Sequence, residues 1–303
     1  MASRALDIAV EAGSPDLPAC VLIHGAGMSK LMWVDPEEAR VMGGLLPIRV
    51  MLAGHDERRT LYHDLAEEGF TVLTWSQHRP VGPATEAVTE FRRAMEVLIN
   101  IPHNGLVLIG HSRGGLIARA ALASGDFPPK DEDLLGLVTL CSPHGGSELS
   151  RWAIHAGKLT SVLNNKIENP EGKRSLRGTI KNMIEFVEST GVKELLPGSD
   201  FLNSLPASVP EGAYCLSVGG TNPSLISGPG GFSFPSSLEK IFPDGIYPEE
   251  MAEGKGDGLV SARSARIPFA SEHLDFHVNH ASVVVDTEIR NAVVHRIKRH
   301  CLL

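Results

Sequence analysis

Short apolar segments, each bounded by turn residues, recur through the first half of the chain and alternate with amphipathic segments of helical period. Six apolar segments predict strands: Leu6–Glu11, Val21–His24, Arg49–Leu52, Thr71–Trp75, Leu106–Ile109 and Leu137–Cys141. Three segments predict helices: Tyr62–Glu68, Glu86–Ile99 and Leu116–Ser124. This alternation indicates an α/β fold with a mainly parallel central sheet and helices on both faces.

The alternation is interrupted in the middle of the chain and resumes towards the C-terminus. Trp152–Ile167 and Thr179–Val187 have helical patterns, and we interpret residues 148–212 as an inserted helical cap. No internal repeat is present, so residues 1–303 are predicted to form a single α/β domain. Three further elements complete the pattern: the strands Tyr214–Val218 and His273–Val278 and the final helix Ser282–Lys298.

Composition and charge exclude several classes of protein. Hydrophobic residues make up 42% of the 303 residues and charged residues 21%, the balance of an ordinary globular domain. The 28 Lys and Arg residues against 36 Asp and Glu give a formal net charge of −8. Because there is also no basic run, nucleic acid is not expected as a partner. The sequence contains no uninterrupted apolar stretch of about 18 residues, so no transmembrane segment is predicted.

The N-terminus and the cysteines favour a cytoplasmic location. Residues 1–13 carry charged side chains and lack the uninterrupted apolar stretch of a secretory signal. The cysteines form no C-x-x-C pair, which argues against a zinc or redox site, and buried free thiols are typical of a reducing compartment. The four cysteines stand far apart, at Cys20, Cys141, Cys215 and Cys301.

The strongest chemical signal is Gly110-His111-Ser112-Arg113-Gly114-Gly115, a G-x-S-x-G pattern between a predicted strand and a predicted helix. A sharp turn here lifts the Ser112 hydroxyl out of the sheet, where a base can reach it. The glycines let strand and helix approach without Cβ clashes, and we expect a strained backbone at Ser112. The pattern predicts Ser112 as a nucleophile, and its alternative is a glycine-rich turn without chemistry.

A second glycine-rich turn, His24-Gly25-Ala26-Gly27, follows the predicted strand that begins at Val21. Acyl transfer builds negative charge on a carbonyl oxygen, which two well-placed backbone N–H donors stabilise. We predict that these donors belong to Arg113, the residue after the nucleophile, and to Ala26, with Gly27 as the alternative to Ala26. His24 precedes Ser112 in the chain, and we interpret it as a brace for this loop rather than as a base.

A serine nucleophile needs a general base and an acid that orients the base. In this strand–turn–helix context they follow the serine in the order acid, then histidine. His280 stands just after the last predicted strand, where a loop can lean over Ser112, and is the candidate base. Asp257, in a tight glycine-flanked turn, is the candidate acid. The alternatives are His277 or His273 for the base and Asp244 or Asp200 for the acid.

A metal site offers a different interpretation of the last strand. His273, Asp275 and His277 fall on one face at a period of two, with residue types that bind metal ions. Because successive residues on one face of a strand seldom converge on one ion, we predict no metal site there.

These motifs give the chain a resemblance to bacterial lipases and esterases of the α/β-hydrolase family. Within it, the chain is most similar to triacylglycerol lipases, GPI-inositol deacylases and lecithin–cholesterol acyltransferase-like proteins. The likeness covers most of the chain and implies the α/β-hydrolase fold with an inserted helical cap. Five segments carry it: His24–Gly27, Gly110–Gly115, Ser142–Ser147, Asp257–Val260 and Asn279-His280.

The resemblance implies carboxylic ester hydrolysis through an acyl-enzyme, with Ser112, Asp257 and His280 as the triad. It implies a small-molecule or lipid ester as substrate and no organic cofactor. Some relatives carry a structural calcium or zinc, but no full ligand set is matched in this chain, so no metal is predicted. One alternative is an acyltransferase that uses the same triad, and another is a non-catalytic ligand-binding protein of the same fold. The sequence carries no signal for an oligomeric state.

Overall fold

The computed structural model contains one large sheet with helices against it. Its strands, numbered in chain order and given in spatial order, are β1 (Asp7–Glu11), β5 (Thr71–Ser76), β2 (Ala19–Ile23), β6 (Leu106–His111), β7 (Leu134–Leu140), β8 (Tyr214–Gly220) and β11 (Glu272–Phe276). The structure describes residues 5–41, 44, 46–52, 58–123, 127–128, 133–148, 185–186, 188–228, 232–234 and 247–302.

Pairing in this sheet is parallel throughout, except that β1 runs antiparallel to β5 at one edge. Every residue of β2 and β6 is buried, as expected for strands covered on both faces. The prediction of a mainly parallel sheet is therefore confirmed. Within the described ranges, two short antiparallel pairs lie outside it: β3 (Arg40–Val41) with β4 (Leu46–Pro47), and β9 (Ile226–Gly228) with β10 (Phe232–Phe234).

Helices cover both faces of the sheet and enclose two cores. Leu22 and Ile109 belong to one buried cluster, together with residues of α2 and α8, whereas Val21 and Leu108 belong to a second cluster with residues of α3 and α4. None of the helices in the described ranges is long and apolar enough to cross a membrane. The helices are α1 (Leu31–Val34), α2 (Leu61–Glu67), α3 (Ala84–Met95), α4 (Arg113–Leu122), α5 (Thr190–Lys193), α6 (Asp200–Ser204), α7 (Ala262–Ala265) and α8 (Thr287–His300).

One predicted strand is wrong. Arg49–Leu52 does not form a strand, because Ile48–Val50 is a 3-10 helix. The buried residues Met51 and Leu52 follow the buried Ile48 by three and four positions, so both lie on the same side of a helical turn as Ile48. In so short an apolar segment, hydrophobicity does not distinguish a turn of helix from a strand.

Much of the predicted insertion, residues 148–212, lies outside the described residues. Trp152–Ile167 lies outside them entirely, and so does Thr179–Val187 apart from residues 185 and 186. The helical cap therefore stays a prediction. At its C-terminal end the structure describes α5 and α6, each of which begins with a serine side chain that accepts a backbone N–H.

β6 and α4 pack so closely at their junction that glycine is required there. A Cβ atom on Gly110 would lie 2.5 Å from the carbonyl carbon of Gly114 and closer still to backbone atoms of Gly115. A Cβ atom on Gly114 would lie 2.8 Å from the carbonyl carbon of Ile23, at the end of β2. These neighbours are backbone atoms, so no side-chain rotation relieves the overlap.

We expect Gly110→Ala to lower the free energy of unfolding by about 1–3 kcal/mol, because the added methyl group displaces α4 from the sheet. Chemical denaturation measures the change. Gly145→Ala is the control, since its Cβ atom would meet nothing nearer than Ser264 Oγ at 3.4 Å, an ordinary contact. Equal destabilisation by the two substitutions would contradict the close-packing explanation.

Candidate active site

Ser112 occupies a strained turn between β6 and α4. Its φ of 54° and ψ of −127° lie in a region that residues with side chains rarely adopt, as expected from the sequence. The Ser112 N–H donates to the Leu140 carbonyl of β7 at 2.8 Å, which fixes the turn to the neighbouring strand. The residue is 7% exposed, so solvent reaches little of it.

The structure brings the predicted base and acid together. Nδ1 of His280 lies 2.8 Å from Oδ2 of Asp257, and the His280 N–H donates to the Asp257 backbone carbonyl at 2.9 Å. Both side chains are almost completely buried. Because the Nδ1–H group donates its hydrogen bond to the carboxylate, Nε2 carries no proton and is the basic nitrogen of the ring.

The other oxygen of Asp257 is held by its own turn. Oδ1 accepts the N–H groups of Leu259 at 2.9 Å and of Val260 at 2.7 Å. Backbone donors of this kind stabilise the charged carboxylate and fix its plane. The acid is therefore oriented before any substrate arrives.

His111 links the nucleophile turn to the loop of the base. Its Nε2–H donates to the His280 carbonyl at 2.8 Å, and the two rings lie 4.8 Å apart between centroids. Within the part of the chain that the structure describes, the Ser112 hydroxyl itself makes no hydrogen bond, with His280 or with any other group. Such contacts are often long in a free enzyme and tighten only when substrate binds.

The turn after β2 passes directly beside Ser112. A Cβ atom on Gly25 would lie 3.0 Å from the Ser112 Cβ. The N–H of Gly27 donates to the Pro80 carbonyl at 3.1 Å, so it is already occupied. Among the described residues, the N–H groups of Ala26 and Arg113 have no hydrogen-bond acceptor. This pattern favours Ala26 over Gly27 as the second donor to a ligand oxygen.

Two buried histidines brace these turns and stay neutral. His24 donates from Nδ1 to the Gly25 carbonyl at 2.9 Å and accepts the Gln77 N–H at Nε2. Burial lowers the pKa of His24 to about 4 and holds the pKa of His111 well below its usual range. Neither ring is therefore protonated at neutral pH.

The Arg113 side chain joins the nucleophile turn to the segment after α5. Its buried guanidinium donates to the Gly82 carbonyl at 2.5 Å and lies 3.1 Å from Oε2 of Glu194. Glu194 also accepts the N–H of Ala84, at the start of α3. Glu194 is not among the residues predicted from the sequence, because no local pattern marks a partner so far along the chain.

The alternative bases occupy other surroundings. His273 lies between Ser217 Oγ at 2.7 Å and Asp275 Oδ1 at 3.0 Å, which makes a second Ser–His–Asp array. Ser217 is fully buried within β8, so its hydroxyl is closed to a substrate. His277 is exposed and lies 3.8 Å from Glu253.

Of the two alternative acids, the structure describes Asp200 alone, and Asp200 makes no hydrogen bond with His280. Asp200 lies in the first turn of α6, where a carboxylate stabilises the helix N-terminus. Asp244 lies outside the described residues. Asp257 is the carboxylate hydrogen bonded to His280.

The pattern His273, Asp275 and His277 does not form a metal-binding group. Among the described residues, one set of three His, Cys, Asp or Glu ligand atoms lies within 4.8 Å of one another, and it consists of Cys141, Asp257 and His280. Within that set, the acid and the base are hydrogen bonded directly to each other.

Asn279 fixes the loop of the base and was also not predicted as a site residue. Its Nδ2 donates to the carbonyls of Met51 and Ser224, both at 2.9 Å. Its Oδ1 accepts the N–H groups of the two residues that follow His280, Ala281 at 3.0 Å and Ser282 at 2.8 Å. The whole hydrogen-bonding capacity of the amide is thus used to hold the loop.

We expect Glu194→Gln to lower the free energy of unfolding by about 2 kcal/mol, because it leaves the Arg113 guanidinium buried without a counter-charge. Urea denaturation measures the change. Glu96→Gln makes the same chemical change at an exposed position and should stay within about 0.5 kcal/mol of the unaltered protein. An unchanged stability of Glu194→Gln would show that the pair contributes nothing.

Comparison with known proteins identifies the fold and the family. The sequence model of the alpha/beta hydrolase family matches residues 20–229, more than half of the chain, including the Ser112 turn. No curated protein sequence matches the chain.

Solved structures of several bacterial proteins have a similar fold. Lipase BlEst2 from Bacillus licheniformis in its propeptide form has a TM-score of 0.57 and 18% identity, covering 95% of this chain and 53% of that one. This chain thus spans about half the length of the propeptide form. The mature form of the lipase has a TM-score of 0.52 and 17% identity, covering 96% and 97%. A lipase-esterase related protein from Clostridium acetobutylicum has a TM-score of 0.50 and 12% identity, covering 97% and 99%.

At these identities the likeness concerns the fold alone. The mostly parallel seven-stranded sheet, the helices against both faces and the matches to known structures confirm the predicted α/β-hydrolase fold. The chain belongs to the alpha/beta hydrolase family.

Proposed function

We propose that the protein is a serine carboxylic-ester hydrolase, an esterase or lipase that acts through an acyl-enzyme on Ser112. The observation that carries the proposal is the buried 2.8 Å hydrogen bond between His280 and Asp257, in a loop tied to the nucleophile turn by His111. A histidine oriented in this way by a carboxylate is the base that a serine nucleophile requires.

In the first half of the reaction, Nε2 of His280 takes the hydroxyl proton as Ser112 Oγ bonds to the ester carbonyl carbon. The electron pair of the C=O double bond moves onto the oxygen, and the Asp257 carboxylate stabilises the imidazolium. The N–H groups of Arg113 and Ala26 receive the oxyanion, and each such donor is worth about 3 kcal/mol of barrier in serine hydrolases.

In the second half, the tetrahedral intermediate expels the alcohol, which takes its proton from His280 and leaves the acyl group on Ser112. Water then attacks the acyl carbon while His280 removes its proton. The second intermediate collapses to release the acid and restore the serine hydroxyl. Every step uses groups of this chain and water, so the proposal includes no cofactor.

The proposed substrate is a small-molecule or lipid ester. Kinship with triacylglycerol lipases, GPI-inositol deacylases or lecithin–cholesterol acyltransferase-like proteins within the family belongs to this proposal and rests on the motifs. A cytoplasmic location is also part of this proposal. It is supported by the four cysteines, which are all free and buried.

Replacing the nucleophile tests the mechanism directly. We expect Ser112→Ala to lower kcat for p-nitrophenyl esters by at least about 10³-fold and to abolish labelling by a fluorophosphonate, because the substitution removes the proposed nucleophile. Hydrolysis is measured from acetate to palmitate, so that the chain-length profile separates esterase from lipase.

Ser217→Ala is the matched control, because it removes the serine of the second Ser–His–Asp array and should leave labelling intact. Activity of the wild-type protein only in the presence of an alcohol acceptor would favour the acyltransferase. A folded wild-type protein that neither reacts with the probe nor hydrolyses any ester would favour a binding protein.

Removing the charge of the acid tests its role. We expect Asp257→Asn to lower kcat by about 10³- to 10⁴-fold, because an amide neither stabilises the imidazolium nor enforces the Nδ1–H tautomer. Asp275→Asn, which alters the acid beside His273, should retain the activity. Comparable losses in both variants would contradict the assignment of Asp257.

A further inference from the structure

Two neighbouring strands of the sheet end in the same unusual way. Among the described residues, Ser112 and Cys141 are the two non-glycine residues with positive φ, at 54° and 50°. Ser112 directly follows β6, and Cys141 directly follows β7. Backbone strain of this kind is concentrated at functional sites. The proposed mechanism uses Ser112 and leaves Cys141 without a role.

Cys141 lies against the acid of the proposed triad. Its Sγ, a carboxylate oxygen of Asp257 and a ring nitrogen of His280 all lie within 4.8 Å of one another. The Cys141 N–H donates to the Val218 carbonyl of β8 at 2.8 Å, which fixes the position of the residue. The strained backbone thus places a fully buried thiol beside the carboxylate.

Gly220, at the end of β8, leaves the space in which the thiol and the acid meet. A Cβ atom there would lie 2.8 Å from the Asp257 Cβ and 3.4 Å from the Cys141 Sγ. Any side chain at this position would therefore push the acid away from the thiol.

The surroundings keep the thiol protonated. Burial, with the nearby Asp257 carboxylate as a further cause, raises the pKa of Cys141 well above its usual range. A protonated thiol is a weak hydrogen-bond donor, whereas the thiolate is the form that attacks carbon or binds metal. The thiol of Cys141 is therefore available as a hydrogen-bond donor to its neighbours.

We propose that Cys141 is a positioning residue whose S–H donates to the Asp257 carboxylate and fixes the acid against His280. This inference rests on the proposed function. Two backbone N–H groups of the turn that carries Asp257 hold one oxygen of the acid. The thiol approaches the acid from the end of β7. A neutral donor orients the carboxylate while leaving its negative charge available to the imidazolium.

Three variants separate this role from packing. Cys141→Ala removes the donor, Cys141→Ser keeps a donor of similar size, and Cys20→Ala removes a buried thiol elsewhere in the same sheet. We expect Cys141→Ala to lower kcat for a p-nitrophenyl ester roughly three- to tenfold, the value of one hydrogen bond from a weak donor. Its acid limb in the pH–rate profile should move to higher pH, because a carboxylate deprived of a donor holds the protonated base more strongly. Cys141→Ser should recover most of the loss, and Cys20→Ala should leave the acid limb unmoved.

Equal losses in Cys141→Ala and Cys141→Ser, or an acid limb that stays in place in Cys141→Ala, would overturn the proposal. The infrared S–H stretching band supplies a readout that needs no turnover. The band of Cys141, identified by its loss in Cys141→Ser, should shift in Asp257→Asn because the acceptor has lost its charge. An unmoved band would reject the hydrogen bond even in a protein that hydrolyses esters. A shifted band in a protein without activity would retain the hydrogen bond while rejecting the proposed function.

Discussion

A carboxylate as deeply buried as that of Asp257 is stable as an anion only if hydrogen-bond donors surround its oxygens, because an unpaired charge in the interior costs several kcal/mol. Its own turn supplies two backbone donors and His280 supplies a third. The need for donors therefore fixes three things at once: the conformation of the turn, the position of the ring and the nitrogen that carries the ring proton. The conformation of this turn therefore orients the acid and the candidate base together.

The parallel sheet explains how residues far apart in the chain meet at this carboxylate. Parallel strands end at the same edge, and β6, β7 and β8 there bring together Ser112, Cys141 and Gly220. Burial of β6 on both faces forces α4 to lie across its end, which only glycine at position 110 permits. The close packing that completes the core is thus also the cause of the sharp turn at the nucleophile. Stability and candidate chemistry depend on the same backbone contacts.

Local patterns predicted the parts of the molecule that depend on neighbouring residues in sequence. The strands β2 and β6 and the turn at Ser112 follow from apolar runs next to glycine, and the pairing of His280 with Asp257 followed from chain order. The sequence predicts Ala26 with Gly27 as the alternative, but it does not show that the Pro80 carbonyl accepts the Gly27 N–H, because that contact joins distant parts of the chain. Glu194 and Cys141 likewise acquire their partners only through tertiary contact, and no local spacing marks them.

Arg113 shows why backbone and side-chain roles cannot be separated at such a turn. Its N–H faces no acceptor among the described residues, as a donor to a ligand requires, while its guanidinium is buried and held by Glu194. A guanidinium without its carboxylate is costly to bury, so the segment that follows α5 must stay docked for the turn to keep its shape. Glu194 also accepts the N–H of Ala84 at the start of α3, which attaches the same carboxylate to a second element. The C-terminal part of the predicted insertion is therefore attached at the Ser112 turn itself, and any displacement of that part acts first on Arg113, whose N–H is the proposed oxyanion donor.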